Sequence, residues 1–192
     1  MGAKVDDGFL IQQTLNGNKN AFRFLVLRYQ RPIFKILGTV LFDPRLVEDV
    51  AQETFLRAYR SLSSFDPALG ASFSTWVITI ARNLAFNELD KRKVRLTKAD
   101  TVEDQPSPSE GGPEQNLAAK QSSHLIRQAI EKLPRDFRLA VVLSCLEGHT
   151  IAEIAAIEAC SEGTVKSRIF RGKQMLRGFL LPIMGEGYGK NL

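Results

Sequence analysis

Apolar residues recur along this chain at steps of three and four, the spacing that lines one face of a helix, and no stretch shows the strict alternation of a half-buried strand. A first helix is expected after Asp7, carrying Phe9, Leu10 and Leu15 and ending at Asn16-Gly17. A second is expected over about 20–41, with Ala21, Phe22, Leu25, Val26, Tyr29, Ile33, Ile36, Leu37 and Val40 on one face. Pro32 lies inside it and, lacking a backbone donor, is expected to kink or interrupt it. Asp43-Pro44 offers a cap and a first-turn proline to a third helix, which runs to about Leu62 through Leu46, Val50, Phe55, Leu56, Ala58 and Tyr59. Serines, Pro67 and Gly70 make 61–72 a loop. A fourth helix is expected from near Ser74 to about Arg92, with Trp76, Val77, Ile80, Ala81, Leu84, Ala85 and Leu89 inward, which makes Trp76 a core residue.

The pattern then breaks. Residues 97–116 hold Pro106, Pro108, Pro113, Gly111 and Gly112, with Lys98 alone against Asp100, Glu103, Asp104, Glu110 and Glu114. That is the composition of a flexible acidic linker. Helical periodicity resumes at about 117–132, 135–147, 150–158 and 161–180. Pro134 separates the first pair, Glu147-Gly148 ends the second helix, Thr150 with Glu153 forms a capping box, and Ser161 caps the last helix. The expected fold is all-α: two small helical domains, 1–96 and 117–192, joined by the 97–116 linker.

Composition narrows the class. At 192 residues, 44% hydrophobic and 24% charged, the chain has the make-up of a soluble globular protein. A net charge of +5 is compatible with nucleic acid, and its distribution along the chain matters more than its size. Cys145 and Cys160 form no CxxC unit and, with His124 and His149, no metal-ligand pattern; they read as small buried thiols of a reducing compartment. No apolar run approaches a membrane span, and the N-terminus, with Asp6 and Asp7, lacks the pattern of a signal peptide. A cytoplasmic protein is expected.

The stretch from Thr150 to Met175 has the form of a helix-turn-helix. A short helix bearing Ile151, Ile154, Ala155 and Ile157 leads through Ala159, Cys160 and Ser161 into a longer one with Val165, Ile169 and Met175 inward. The outward face of the longer helix carries Lys166, Arg168, Arg171, Lys173 and Arg177 against Glu162 alone. An apolar side to anchor and a cationic side to meet phosphate are what a recognition helix needs. Glu158 stands at an inward position where an apolar residue is usual.

Three sets of segments resemble the small two-domain sigma factors of the extracytoplasmic-function (ECF) type. Leu133-Pro134-Arg135-Asp136-Phe137-Arg138, Leu143 to Gly148, Ile151-Ala152-Glu153-Ile154-Ala155 and Gly163 to Lys173 are similar to the family's C-terminal helix-turn-helix domain, region 4. The resemblance implies that Ser161, Thr164, Lys166, Ser167, Arg168, Phe170, Arg171 and Lys173 face the minus-thirty-five promoter element. Ala21-Phe22 to Tyr29 and Glu48 to Arg60 resemble region 2. There Asp49, Gln52, Glu53, Arg57 and Arg60, a polar face at helical spacing, are implied to dock on core RNA polymerase. The segment from Phe65 through Phe73-Ser74-Thr75-Trp76-Val77 to Ala81-Arg82-Asn83 resembles the part that captures the minus-ten element. An extruded base needs an aromatic wall and polar groups for its edge. Phe65, Ser72, Arg82 and Asn83 are expected to supply them, with the basic cluster Lys91, Arg92, Lys93 on phosphate. The overall likeness within the family is to the sigma factor of a cobalt–nickel resistance system.

The resemblance implies the partners: core RNA polymerase, promoter DNA and a membrane-anchored anti-sigma factor that covers the polymerase-facing surfaces. It implies no cofactor, no metal, no catalytic group and no small-molecule substrate. A stand-alone helix-turn-helix repressor or activator is the competing reading, set against by the region-2 likeness. A nuclease would need a metal-holding carboxylate cluster, for which Glu48, Asp49 and Glu53 on one exposed helix are poor material.

Overall fold

A computed structural model describes residues 5–67, 72–98 and 117–184, without side chains at 95–98, 117–123 and 183–184. The described residues form eight α-helices and no strand: α1 (Asp7–Leu15), α2 (Lys19–Leu41), α3 (Pro44–Arg60), α4 (Phe73–Lys98), α5 (Leu117–Glu131), α6 (Arg135–Val141), α7 (Ile151–Glu158) and α8 (Glu162–Met184). The first two positions of the expected linker complete α4; the rest of it, and the tail from Gly185, lie outside the described residues. The chain divides into two compact units, Met1–Leu37 with Arg45–Val102 and Gly38–Pro44 with Glu103–Leu192.

In the first unit, Asp6 caps α1 by accepting from the Phe9 N–H at 3.3 Å. The Asp7 carboxylate accepts from both Arg28 and the Tyr29 hydroxyl, and Arg28 Nη2 donates to the Val5 carbonyl at 2.6 Å, so α1 is tied to α2. Burial, then the bond to Asp7, push the Tyr29 phenol well above its ordinary range. Helix α2 runs unbroken through Pro32, against the expected interruption. Leu25 and Ile33 are fully buried on either side of the proline, with Ile36 and Leu37 beyond. Burying such side chains is worth about 2 kcal/mol each, which outweighs the roughly 3 kcal/mol cost of an interior proline. Pro44 opens α3 at its first position, and Ser72 caps α4 through the Thr75 N–H at 3.1 Å.

In the second unit, α8 packs across α5, α6 and α7. The expected helix over 135–147 is instead α6 followed by a π turn, Val142–Leu146, closed by Glu147 N–H to the Val142 carbonyl at 3.2 Å. The extra residue per turn keeps Val142 and Leu143 in the core while the chain leaves for α7. Gly172 marks the closest approach of α8 to α6: a Cβ there would lie 2.6 Å from Val141 Cγ2 and 3.4 Å from the Phe137 carbonyl oxygen. Gly172→Val is therefore expected to destabilise the unit by about 2 kcal/mol, read as a lowered thermal midpoint.

The expected capping box forms. Glu153 N–H donates to Thr150 Oγ1 at 3.2 Å, and Thr150 N–H donates to Glu153 Oε2 at 2.8 Å. The Thr150 backbone N–H is the main cause that holds the Glu153 carboxyl below its ordinary value. A carboxyl depressed on folding stabilises above its unfolded pKa and loses that contribution as pH falls through the folded one. Glu153→Gln is thus expected to lower the thermal midpoint at neutral pH, and the difference from the parent protein should narrow as pH falls from the ordinary carboxylate range through the lower folded value.

Candidate nucleic-acid and polymerase interfaces

Helix α3 buries Val47, Val50, Ala51, Thr54 and Ala58 on one side, which turns Asp49, Gln52, Arg57 and Arg60 to solvent, with Glu53 half-buried beside them. Arg57 Nε donates to Glu53 Oε1 at 2.6 Å, and Gln52 Nε2 to Glu48 Oε1 at 3.3 Å. The same face exposes Leu56 (42%) and Tyr59 (38%); the Tyr59 ring meets Phe22 edge-on at 5.1 Å. The face therefore offers apolar area among its charges, the composition of a protein-docking surface. Their signal in the sequence was positional: Leu56 sits one turn from Gln52 and Arg60, and Tyr59 two turns from Gln52 and next to Arg60.

Phe65 is half-buried in an aromatic cluster. Its ring lies 5.2 Å from Trp76 and 5.7 Å from Phe73, and Phe73 in turn lies 5.3 Å from Tyr29. Trp76 is half-buried, so this cluster is a wall with one open side and not a closed core. The Ser72 hydroxyl is occupied as the α4 cap and lies 3.0 Å from that of Thr75. Arg82 stacks its guanidinium over the Phe86 ring at 4.5 Å and donates to Asn83 Oδ1 at 2.8 Å, while Asn83 is exposed. Lys91 and Lys93 are exposed and Arg92 half-buried; Lys91 Nζ reaches Glu88 Oε1 at 2.5 Å. At about 1.5 Å per residue, the helix sets this basic end roughly 15 Å beyond Asn83.

Helix α8 sorts its expected contact residues into three groups. Ser161 and Thr164 form the cap, with the Thr164 N–H on Ser161 Oγ at 3.2 Å and the two hydroxyls 2.9 Å apart. Lys166, Ser167, Phe170 and Arg171 share one exposed face, Phe170 being 63% accessible, and Lys173 is half-buried at its edge. Arg168 differs. Its side chain is 23% exposed and its guanidinium is engaged by Glu158, whose side chain is 1% exposed, and by Asp136 Oδ2 at 3.4 Å. Burial opposes the arginine's charge, and the hydrogen bond and charge of Glu158 overcome it, so the Arg168 pKa is raised.

Sequence comparison resolves what these faces belong to. The Sigma-70 region 2 family matches residues 25–95, taking in most of α2 with all of α3 and nearly all of α4. The Sigma-70 region 4 family matches 123–176, from within α5 to within α8. RNA polymerase sigma-H factor of Pseudomonas aeruginosa is 34% identical over 194 residues, covering 97% of this chain and 100% of that protein. The ECF sigma-E factor of Escherichia coli is 33% identical over 96% of this chain and 99% of its own. The chain belongs to the ECF sigma factors. Among solved structures, CnrH in complex with the cytosolic domain of CnrY matches with a TM-score of 0.69 at 25% identity, over 92% of this chain and 98% of that one. RpoE of Bartonella quintana, in complex with the anti-sigma factor NepR, shares the fold with a TM-score of 0.71 over 83% of this chain and 96% of that one. Sigma factors act in transcription initiation and are not enzymes. Among the described residues of this sigma factor, no helix is long and apolar enough to cross a membrane, and no three His, Cys, Asp or Glu side chains gather to hold a metal.

Proposed function

We propose that this sigma factor docks on core RNA polymerase through the α3 face, reads the minus-thirty-five element with the outer face of α8, and captures an extruded minus-ten base against the Phe65 and Trp76 wall beside Asn83. Lys91, Arg92 and Lys93 meet phosphate beyond that wall. Strand separation costs about 1.4 kcal/mol per stacked step, and single-strand contacts offset it. The protein works in the cytoplasm, and a membrane-anchored anti-sigma factor holds it inactive. Two structurally similar proteins solved with a partner, CnrH with the cytosolic domain of CnrY and RpoE with the anti-sigma factor NepR, support regulation by a bound protein.

The observation that carries the reading is the similarity that runs through both units to sigma-H and sigma-E factors. A stand-alone repressor needs only the second unit and has no use for a region 2. Transcription with purified core polymerase on a genomic library tests it. Discrete transcripts that require this protein are expected, with two upstream elements in common. Tight binding of duplex DNA by the protein alone, with no affinity for core polymerase, would refute it.

A further inference from the structure

The second unit contains one arrangement that a basic recognition face does not explain. Glu158, the last residue of α7, is buried, and the next residue, Ala159, takes a left-handed conformation at φ 51° that a non-glycine residue rarely holds. Its carboxylate grips Arg168, nearly two turns into α8 and ten residues along the chain. The same guanidinium reaches Asp136 at the start of α6 at 3.4 Å. Cys160 Sγ lies against both partners, 3.9 Å from Glu158 Oε2 and 3.8 Å from Arg168 Nη1. One arginine thus joins the three helices whose mutual angle fixes the recognition face. A buried carboxylate is tolerated only when paired, so neither member can be freed to meet DNA without stranding the other.

We propose that Glu158 and Arg168 are a positioning pair: they set the angle of α8 on α7 and α6, and so determine how sharply the protein discriminates its upstream promoter element, while touching neither base nor phosphate. This rests on α8 being the recognition helix. Arg168 accordingly leaves the set of cations that meet DNA, and Lys166 and Arg171 remain as its exposed members.

The salt dependence of binding separates the two roles. A cation on phosphate releases a counterion, and its removal lowers the slope of log affinity against log salt by about one; a positioning cation leaves the slope alone. The experiment uses full-length protein with core polymerase on two promoter fragments, one with its upstream element scrambled, at a temperature where circular dichroism shows every variant folded. Arg168→Met and Glu158→Met should each reduce the preference for the intact element by about tenfold or more, with the salt slope unchanged. The double variant Glu158→Met/Arg168→Met replaces the ion pair with apolar side chains of similar length and should recover most of that preference. Lys166→Ala should lower the slope by about one. A lowered slope for Arg168→Met, no recovery in the double variant, or single variants that lose stability yet keep full discrimination would each overturn the proposal. Absence of any preference in the parent protein would instead sink the reading of α8 itself.

Discussion

Replacing Arg138 by alanine is expected to lower the thermal midpoint of the second unit by about 15 °C, the largest loss of stability for one side chain here. Arg138 stands in α6 but serves α5. Its Nε donates to the Ile130 carbonyl at 3.1 Å, and its Nη2 donates to Glu131 at 2.6 Å and to Leu133 at 2.9 Å. The last carbonyls of a helix have no partners within it, and a cation there also faces the negative end of the dipole. Hydrogen bonds from a charged donor are worth about 1.5–3 kcal/mol each, but Glu131 is exposed and the Ile130 carbonyl also accepts from the Leu133 N–H at 3.1 Å, so part of the loss is offset. Taking about 3 kcal/mol for the set, and about 5 °C per kcal/mol for a domain of this size, gives the predicted shift. Arg138→Lys should recover little of it, because an ammonium on a flexible stem cannot fan across three carbonyls as a guanidinium does. A loss below about 3 °C by differential scanning calorimetry would show that water replaces the arginine as the cap.

Arg138 also shows where the sequence stops being legible. Helices α1 to α8 announce themselves by three- and four-residue spacing, and some starts by local chemistry: Pro44, Thr150 with Glu153, and Ser161 all act within a few residues of themselves, while Asp6 and Ser72 do so without having been singled out. A cap that reaches back from the next helix leaves no such local mark. The π turn at Val142–Leu146 is hidden for a related reason: one added residue shifts the apolar register too little to stand out over five positions. At Pro32 the helix is not interrupted, because burial contributed from elsewhere in the unit outweighs the local cost of the proline.

The recognition helix divides along the same line. Lys166 and Arg171 were placed outward by spacing, Ser167 and Phe170 on the contact face by the family resemblance, and the structure exposes all four. Arg168 lies only about 60° around the helix from buried Val165, at 100° per residue, so it sits on the flank where either direction is open. Its charge argued for outward. Glu158, ten residues earlier, decided for inward, and its oddity as a charged inward residue was the signal that a buried partner existed. Leu56 and Tyr59 carry no such signal: their apolar character gives no direction, and the structure exposes both.

The double variant Lys166→Ala/Arg171→Ala should lose nearly all recognition of the upstream element while keeping core polymerase. Both side chains are exposed and their spacing places them on one face with Phe170. A cation on a base edge or phosphate contributes about 1–3 kcal/mol, so the pair is worth about 4 kcal/mol, close to a thousandfold in affinity. The salt slope should fall by about 1.8, one counterion for each cation. Phe170→Ala provides the contrast: it removes apolar contact and no charge, so affinity should fall at constant slope. Binding to core polymerase should hold in both, because the α3 face proposed to dock there belongs to the first unit. Electrophoretic mobility shifts of the polymerase-bound protein at several salt concentrations give affinity and slope together. Equal losses on intact and scrambled elements would mean that this face contributes only sequence-independent attraction. Base readout would then have to come from the N-terminal end of α8, around the Ser161 and Thr164 cap.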